Sequence, residues 1–405
     1  MISRADAEAM DAADRLAFAR GRFSLPDGVI YLDGNSLGAL PRRTAARVAD
    51  TVMNEWGNGL IRSWNDAHWI DAPAKIGAKI ARLIGANGDE VIVTDSVSVN
   101  VFKLAAAALA LRPGRRVIVT EEGNFPTDVY VLQGLAALTG TELRVVPSGE
   151  IVAALDESVA LLLLTQTNYR SGAVHDMAAL TAAAHAAGAL ACWDLSHSAG
   201  AIAVELNAAQ ADMAVGCGYK FLNGGPGAPA FAFVARRHHD AFAQPLTGWM
   251  GHAAPFAFEG DYRPGTGITR MLCGTPGVIG MAALASGVAT FDGIDMATAA
   301  AKSTALGDLL IALVEQRCPE IGIASPRSAR GAQVSLSHPN AYEVCQALIA
   351  RSVIGDFRPP DVLRFGFPAL YVRFADIWDA VEYLSRVLAS GEWRDARFAV
   401  RNAVT

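Results

Sequence analysis

The chain has 405 residues, too many for one ordinary hydrophobic core, so two units are expected. Apolar residues make up 52% of it, ample for burial, while a net charge of −6 offers no basic face and argues against nucleic acid or an anionic membrane as partner. No apolar stretch reaches the roughly 18 residues that a membrane span needs, and the N-terminus alternates charge with alanine around no apolar signal core, so a cytoplasmic protein is expected.

Residues 4–20 read as a polar-faced helix. An apolar run at 29–32 enters a turn rich in Asp, Asn and Gly at 33–38, and Pro41 is placed to open the next helix, since proline is tolerated in a first turn. Apolar residues at helical spacing predict another helix over 73–83, closed by Gly85. From there strand and helix alternate. Strands are predicted at 90–94, 116–120, 143–146, 159–165, 189–193, 213–217 and 228–235, with helices at 97–111, from 126 onward and at 178–188. This alternation predicts an α/β fold with a mainly parallel seven-stranded sheet and helices on both faces.

Residues 244–275 are rich in Gly, Pro and aromatics, too long for a simple connection and suited to a binding loop. Two alanine-rich helices follow at 277–291 and 294–317. A smaller α+β unit closes the chain, with strands at 332–337, near Val353 and at 362–367, and helices at 341–351 and 375–389. The division read from this pattern is an arm over 1–60 that returns to the small unit, a large unit over 61–285 and a small one over 286–405.

The five cysteines are odd in number and form no CxxC pair, against a disulfide framework or zinc site. His238 and His239 follow two arginines, have no matching ligand set and read as a solvated cationic corner. No metal is expected.

Chemistry concentrates where strands end. The run 213–217 stops in Gly218-Tyr219-Lys220, and a glycine- and proline-rich turn follows. A lysine there lies in the crevice where open α/β sheets hold ligands. The neighbouring run ends in Asp194-Leu195-Ser196-His197. An acid and a lysine at adjoining strand ends are the two protein groups that pyridoxal phosphate requires: the amine forms a Schiff base, and the carboxylate pairs with the pyridinium nitrogen. A solvated lysine, and a capping aspartate beside a structural histidine, are the plain alternatives. Ser96 and Ser98 stand ahead of a helix, where hydroxyls and free amides suit a phosphate or simply an N-cap. Phe125, beside a turn fixed by Pro126, either covers a flat ring or fills core.

The ordered motifs resemble the kynureninases, pyridoxal phosphate enzymes of fold type I. They are YLDGNSLGALP at 31–41, TDSVSVN at 94–100, NFPTD at 124–128, NYRSG at 168–172, WDLSHSAGA at 193–201, GCGYKFLNGGPG at 216–227, GW at 248–249, CGTP at 273–276 and LRFGFPALYVRF at 363–374. The resemblance implies hydrolytic Cβ–Cγ cleavage of L-kynurenine to anthranilate and L-alanine, in tryptophan catabolism, by a homodimer with active sites at its interface. It implies Lys220 as the Schiff-base lysine and proton shuttle, Tyr219 as phosphate contact and acid–base group, Asp194 on the ring nitrogen and His197 beside the ring. Phe125 would stack on the ring, with Pro126, Thr127, Asp128 and Thr165 in the same pocket. Val97, through its backbone, and Ser98 would hold the phosphate, and Trp249 and Thr275 would reach it from the other subunit. Arg364 would clamp the substrate α-carboxylate, where a planar fork suits two oxygens. Asn35 and Trp64 would line the aromatic end of the substrate.

Trp64 and Thr275 stand where some members have more polar residues, which predicts a preference for kynurenine over 3-hydroxykynurenine. Glu259 receives no role. The rival readings are a cysteine desulfurase or class V aminotransferase, and a cofactor-binding protein without turnover. Cys345, inside a predicted helix, and Cys318, just after one, suit a mobile nucleophile poorly.

Overall fold

A computed structural model describes residues 2–401. After a short strand β1 (Ile30–Tyr31) come β2 (Val91–Val93), β3 (Val117–Glu121), β4 (Glu142–Val146), β5 (Val159–Thr165), β6 (Leu190–Asp194), β7 (Met213–Gly216) and β8 (Phe231–Val234). These last seven form one sheet in the order β2-β8-β7-β6-β5-β3-β4. Only β8 runs against its neighbours among them, because the link from β7 lacks the helix that a parallel crossover needs.

The interior strand β5, VALLLLT, is buried along its whole length, as expected where helices cover both faces. Alternate residues feed two cores. Val117, Val119, Leu162, Leu164 and Trp193 join one, and Ile118, Leu161, Leu163, Cys192 and Val215 join the other. The register sets Thr165, Asp194 and Val215 level across three strand ends.

The C-terminal part contributes β9 (Gly322–Ile323), β10 (Gln333–Ser337), β11 (Val353–Ile354), β12 (Asp356–Arg358) and β13 (Val362–Gly366). An antiparallel sheet forms in the order β12-β13-β10-β9, while β11 pairs in parallel with β1. The strands β9 and β12 have no strong sequence signal. They are two and three residues long and owe their form to pairing with β10 and β13.

Four expectations are corrected. The first helix stops at Ala12, and a 3-10 turn over Ala17–Arg22 follows. Asp11 instead accepts from the amides of Phe374 and Ala375 at 2.7 and 3.0 Å, and Asp14 pairs with buried Lys302 at 2.7 Å. Pro41 does not open a helix. It bridges Phe23 in a short antiparallel contact, and the helix Thr44–Asp50 starts three residues later. His238 and His239 are not a solvated corner: His238 bonds buried Asp212 at 2.7 Å, and His239 donates to the Val234 carbonyl at 2.9 Å.

Among the described residues one helix, Met296–Arg317, is long and apolar enough to cross a bilayer, although no such stretch was expected. More than half of its apolar window lies inside the fold, which explains its composition as that of a core helix.

Candidate active site

The carboxyl ends of the parallel strands converge on a cavity of about 240 Å³. Its walls come from the turns after β2 (Ser96, Val97, Ser98), β3 (Phe125, Thr127), β5 (Thr165, Tyr169), β6 (Asp194, Ser196, His197) and β7 (Cys217, Tyr219, Lys220). This is the crevice where open α/β sheets place ligands. A larger groove of about 860 Å³ lies between the N-terminal arm and the last long helix, but its four arginines and four acids offset one another, and it lacks the strand-end chemistry.

At the floor, Lys220 is buried, and its Nζ donates to His197 Nε2 at 3.0 Å. The Phe125 ring centroid lies 5.6 Å from the same nitrogen. The Lys220 turn is held from behind by the N-terminal motif: Gly38 donates to the Tyr219 carbonyl at 2.8 Å. A Cβ on Gly38 would lie 2.4 Å from the Lys220 carbonyl, so the approach requires glycine.

Asp194 ends β6 with its Oδ1 accepting from the Ser196 amide at 2.8 Å and hydroxyl at 2.6 Å. Beside it, Asp128 is fully buried, and neither of its oxygens has a hydrogen-bond donor among the described residues. Two carboxylates can bond each other only when one carries a proton. Burial raises both carboxyls, but Asp128 the further, with the Asp194 charge pushing the same way; Lys220 and the Ser196 donors restrain Asp194. Of the two, Asp194 is the better supplied to carry a charge, and Asp128 is held further toward its protonated form.

Burial, helped by the charges of Lys220 and Arg364, holds the His197 imidazole well below its usual range. Burial likewise pushes the Tyr219 phenol up, so it is a donor at neutral pH. Above the strands, the helix Val97–Leu111 starts at Ser96, whose hydroxyl caps Val99. The first-turn amides of Val97 and Ser98 have no acceptor within the helix and suit an anion.

Arg364 on β13 is fully buried and already engaged. Its Nε donates to Asp356 Oδ1 at 2.9 Å, its Nη2 to Asp356 Oδ2 and, at 3.0 Å, to Ser36, and its Nη1 to the Tyr169 carbonyl. Of five N–H donors, one remains on Nη1. Arg358 shares Asp356 at 2.8 Å, and burial beside Asp356 pushes the Asp33 carboxyl up to about 7.

The whole chain is 52% identical to the kynureninase of Burkholderia mallei strain SAVP1 and 51% identical to that of Pseudomonas fluorescens, with both relatives also covered in full. The chain belongs to the kynureninase family. A family model described as the kynureninase C-terminal domain matches residues 299–384. Among solved structures, a cysteine desulfurase from Thermococcus onnurineus NA1 shares the fold at 18% identity and a TM-score of 0.79, over 92% of this chain and 98% of the other. A cysteine desulfurase from Escherichia coli does so at 18% identity and 0.78, over 93% and 99%. That likeness shows the fold type alone.

Not every residue singled out by the kynureninase resemblance reaches this cavity. Pro126 opens the helix Pro126–Thr139, which places Asp128 beneath the site. Asn35 is fully buried with both amide atoms unpartnered among the described residues, Trp64 packs edge-on against Trp69 at 6.0 Å, and Trp249 against Phe256 at 5.5 Å. None of these three, nor Thr275, lines the cavity of its own chain. Glu259, left without a role above, pairs with Arg263 at 2.7 Å.

Several contributors had no motif to reveal them. Lys103 is completely buried within a helix and donates to Asp95 at 2.5 Å and to the Met271 carbonyl at 2.7 Å. It thereby holds Asp95, whose φ is +48°, at the head of the phosphate-type turn. A lysine among the alanines and leucines of a core helix was the one available signal. Asp356 and Gln333 belong to the same group.

Proposed function

We propose that this chain uses water to cleave the Cβ–Cγ bond of L-kynurenine, releasing anthranilate and L-alanine, with pyridoxal phosphate held in the Lys220 cavity. The observation that carries this reading is the convergence of Lys220, Asp194, Phe125 and the Val97 helix start on one slot. The residues fit the cofactor because they are incomplete without it. Asp128 has partnerless oxygens, the first-turn amides lack acceptors, and Lys220 forms no ion pair among the described residues.

When bound, pyridoxal phosphate supplies an electron sink for charge developing on the substrate carbons. The chain's own groups do the rest. The amides of Val97 and Ser98 and the Tyr219 phenol donate to the phosphate, with Thr127 and Thr165 beside it in the pocket wall. Asp194, supplied with the Ser196 donors and facing the Lys220 charge, presents a carboxylate to the ring nitrogen. Phe125 covers a ring face. Lys220 takes the proton from the substrate α-carbon and returns it, and the neutral His197 steadies its amine. Arg364 receives the α-carboxylate through its open Nη1–H, in a plane already set by Asp356.

The active assembly in this reading is a cytoplasmic homodimer in which Trp249 and Thr275 serve the neighbouring subunit's phosphate. Their position off their own cavity supports it, as do the exposed Phe256 and Phe258 on the same loop. The arm over 1–60, the large unit over 61–285 and the small unit over 286–405 remain part of the proposal, supported by the pairing of β1 with β11.

Anthranilate fluorescence from kynurenine, set against sulfide release from cysteine, tests the reaction. Anthranilate and no sulfide is the expected result; sulfide would restore the desulfurase reading, and bound cofactor without turnover the binding-protein reading. The buried, upward-shifted thiols of Cys217 and Cys345 make the sulfide outcome chemically poor. A lower kcat/KM is expected for 3-hydroxykynurenine than for kynurenine, and a clear advantage for it would refute the roles given to Trp64 and Thr275.

A further inference from the structure

We propose that Gln333 is a positioning residue for the proton-carrying lysine: it fixes His197 as the Nδ1–H tautomer and so keeps the bare Nε2 facing Lys220 Nζ. The inference deepens the proposed reaction and rests on it for the role of Lys220.

Gln333 begins β10, on the smaller sheet, and is almost completely buried. Its Nε2 donates to the carbonyls of Tyr169 at 3.0 Å and Asn168 at 3.3 Å. Carbonyl oxygens only accept, so the amide is held with its NH₂ toward the loop 168–169 and its Oε1 toward His197. That oxygen also only accepts. His197 Nδ1, 3.0 Å away, must therefore carry a proton.

The groups facing the imidazole keep it from gaining a second one. Burial disfavours the cation, and Lys220 after β7, Arg358 on β12 and Arg364 on β13 all add positive charge; Asp194, three residues upstream on its own turn, is the nearby acid. A neutral ring has one protonated nitrogen, so Nε2 offers a lone pair to Lys220 at 3.0 Å. The chain of contacts Tyr169–Gln333–His197–Lys220 joins the two sheets, and the lysine finds its acceptor only when β10 is docked.

Two substitutions separate positioning from packing. Gln333→Met keeps the volume but abandons the tautomer, and kcat/KM is expected to fall roughly 10- to 100-fold, by analogy with metal-bound histidines that lose their orienting partner, with the loss in kcat rather than KM. Gln333→Glu places a carboxylate on Nδ1 and favours the imidazolium, in which both nitrogens donate and neither can accept from Lys220. Its acid limb of kcat/KM against pH should move up by about one unit or more, with activity recovering as pH rises. Nitrogen-15 shifts of His197 in the histidine-labelled holoenzyme, assigned with His197→Gln, should show a protonated Nδ1 and a bare Nε2.

The opposite tautomer would overturn the proposal. So would equal losses in the two variants with unmoved pH limbs, or wild-type profiles in both. If the wild type leaves kynurenine untouched, the reaction fails, while the nitrogen shifts still decide the tautomer.

Discussion

The two ends of one strand, β7, carry opposite solutions to the same electrostatic problem. Asp212 precedes it and is as buried as Asp194. Its Oδ1 accepts from Arg237 and His238, both at 2.7 Å, and its Oδ2 from His185 at 2.7 Å and the Ala191 amide at 2.8 Å. Four donors outweigh desolvation and hold the carboxyl well below the usual range. Level with its far end, where Asp194 of β6 pairs with Val215, Asp194 and Asp128 of the helix Pro126–Thr139 have too few donors, and burial drives them upward. Burial alone therefore does not set the direction of a shift; the supply of hydrogen bonds does. One end is complete as it stands, and the other is complete only with a ligand.

The largest effect should come from Lys220→Ala. Losing the amine that anchors the cofactor and moves the proton should cost roughly 10⁴-fold or more in kcat. The absorbance of the lysine-linked cofactor should vanish with it. The thermal midpoint of the cofactor-free protein should not fall, because the change removes a buried amine that forms no ion pair among the described residues. A collapsed fold instead would mean that this end is structural like the other. Asp212→Asn should do the converse: a loss of about 3–5 kcal/mol of stability, typical of removing one partner from a buried ionic cluster, with kcat/KM per folded molecule unchanged. Denaturation midpoints and active-site titration check both halves.

Much of this contrast was legible in the residues. Lys220 and Asp194 stood out because charges at the ends of apolar runs have few explanations. The strands of the large sheet were found to within three residues because their burial on both faces makes them nearly continuous apolar runs. What stayed hidden depended on long-range pairing. Gln333 looks like any polar residue in a half-exposed strand, yet its partners lie more than 130 residues away. Asp356 gave no hint that it occupies the Arg364 fork, so the arginine's open edge could not be foreseen. His238 was misjudged for the same reason, since its acid lies 26 residues earlier.

The smallest effect is the most direct measure of the difference between the ends, and it lies in the pH dependence of the cofactor-free protein. Asp212 has a folded pKa below its unfolded value, so its stabilisation is present above the ordinary carboxylate value of about 4 and is lost as pH falls toward the folded value. Asp128 has the reverse sign: its contribution is present below about 4 and is lost as pH rises through its raised folded value. Asn at position 128 cannot ionise and carries a donor of its own, so Asp128→Asn should raise the thermal midpoint at pH 7, by a gain on the order of 1 kcal/mol. It should also flatten the decline in the window that opens as pH rises above about 4. Asp212→Asn should leave that window unaltered and remove the dependence below it. Parallel slopes in the two variants would show that the ends of β7 are not the opposites their hydrogen bonds make them.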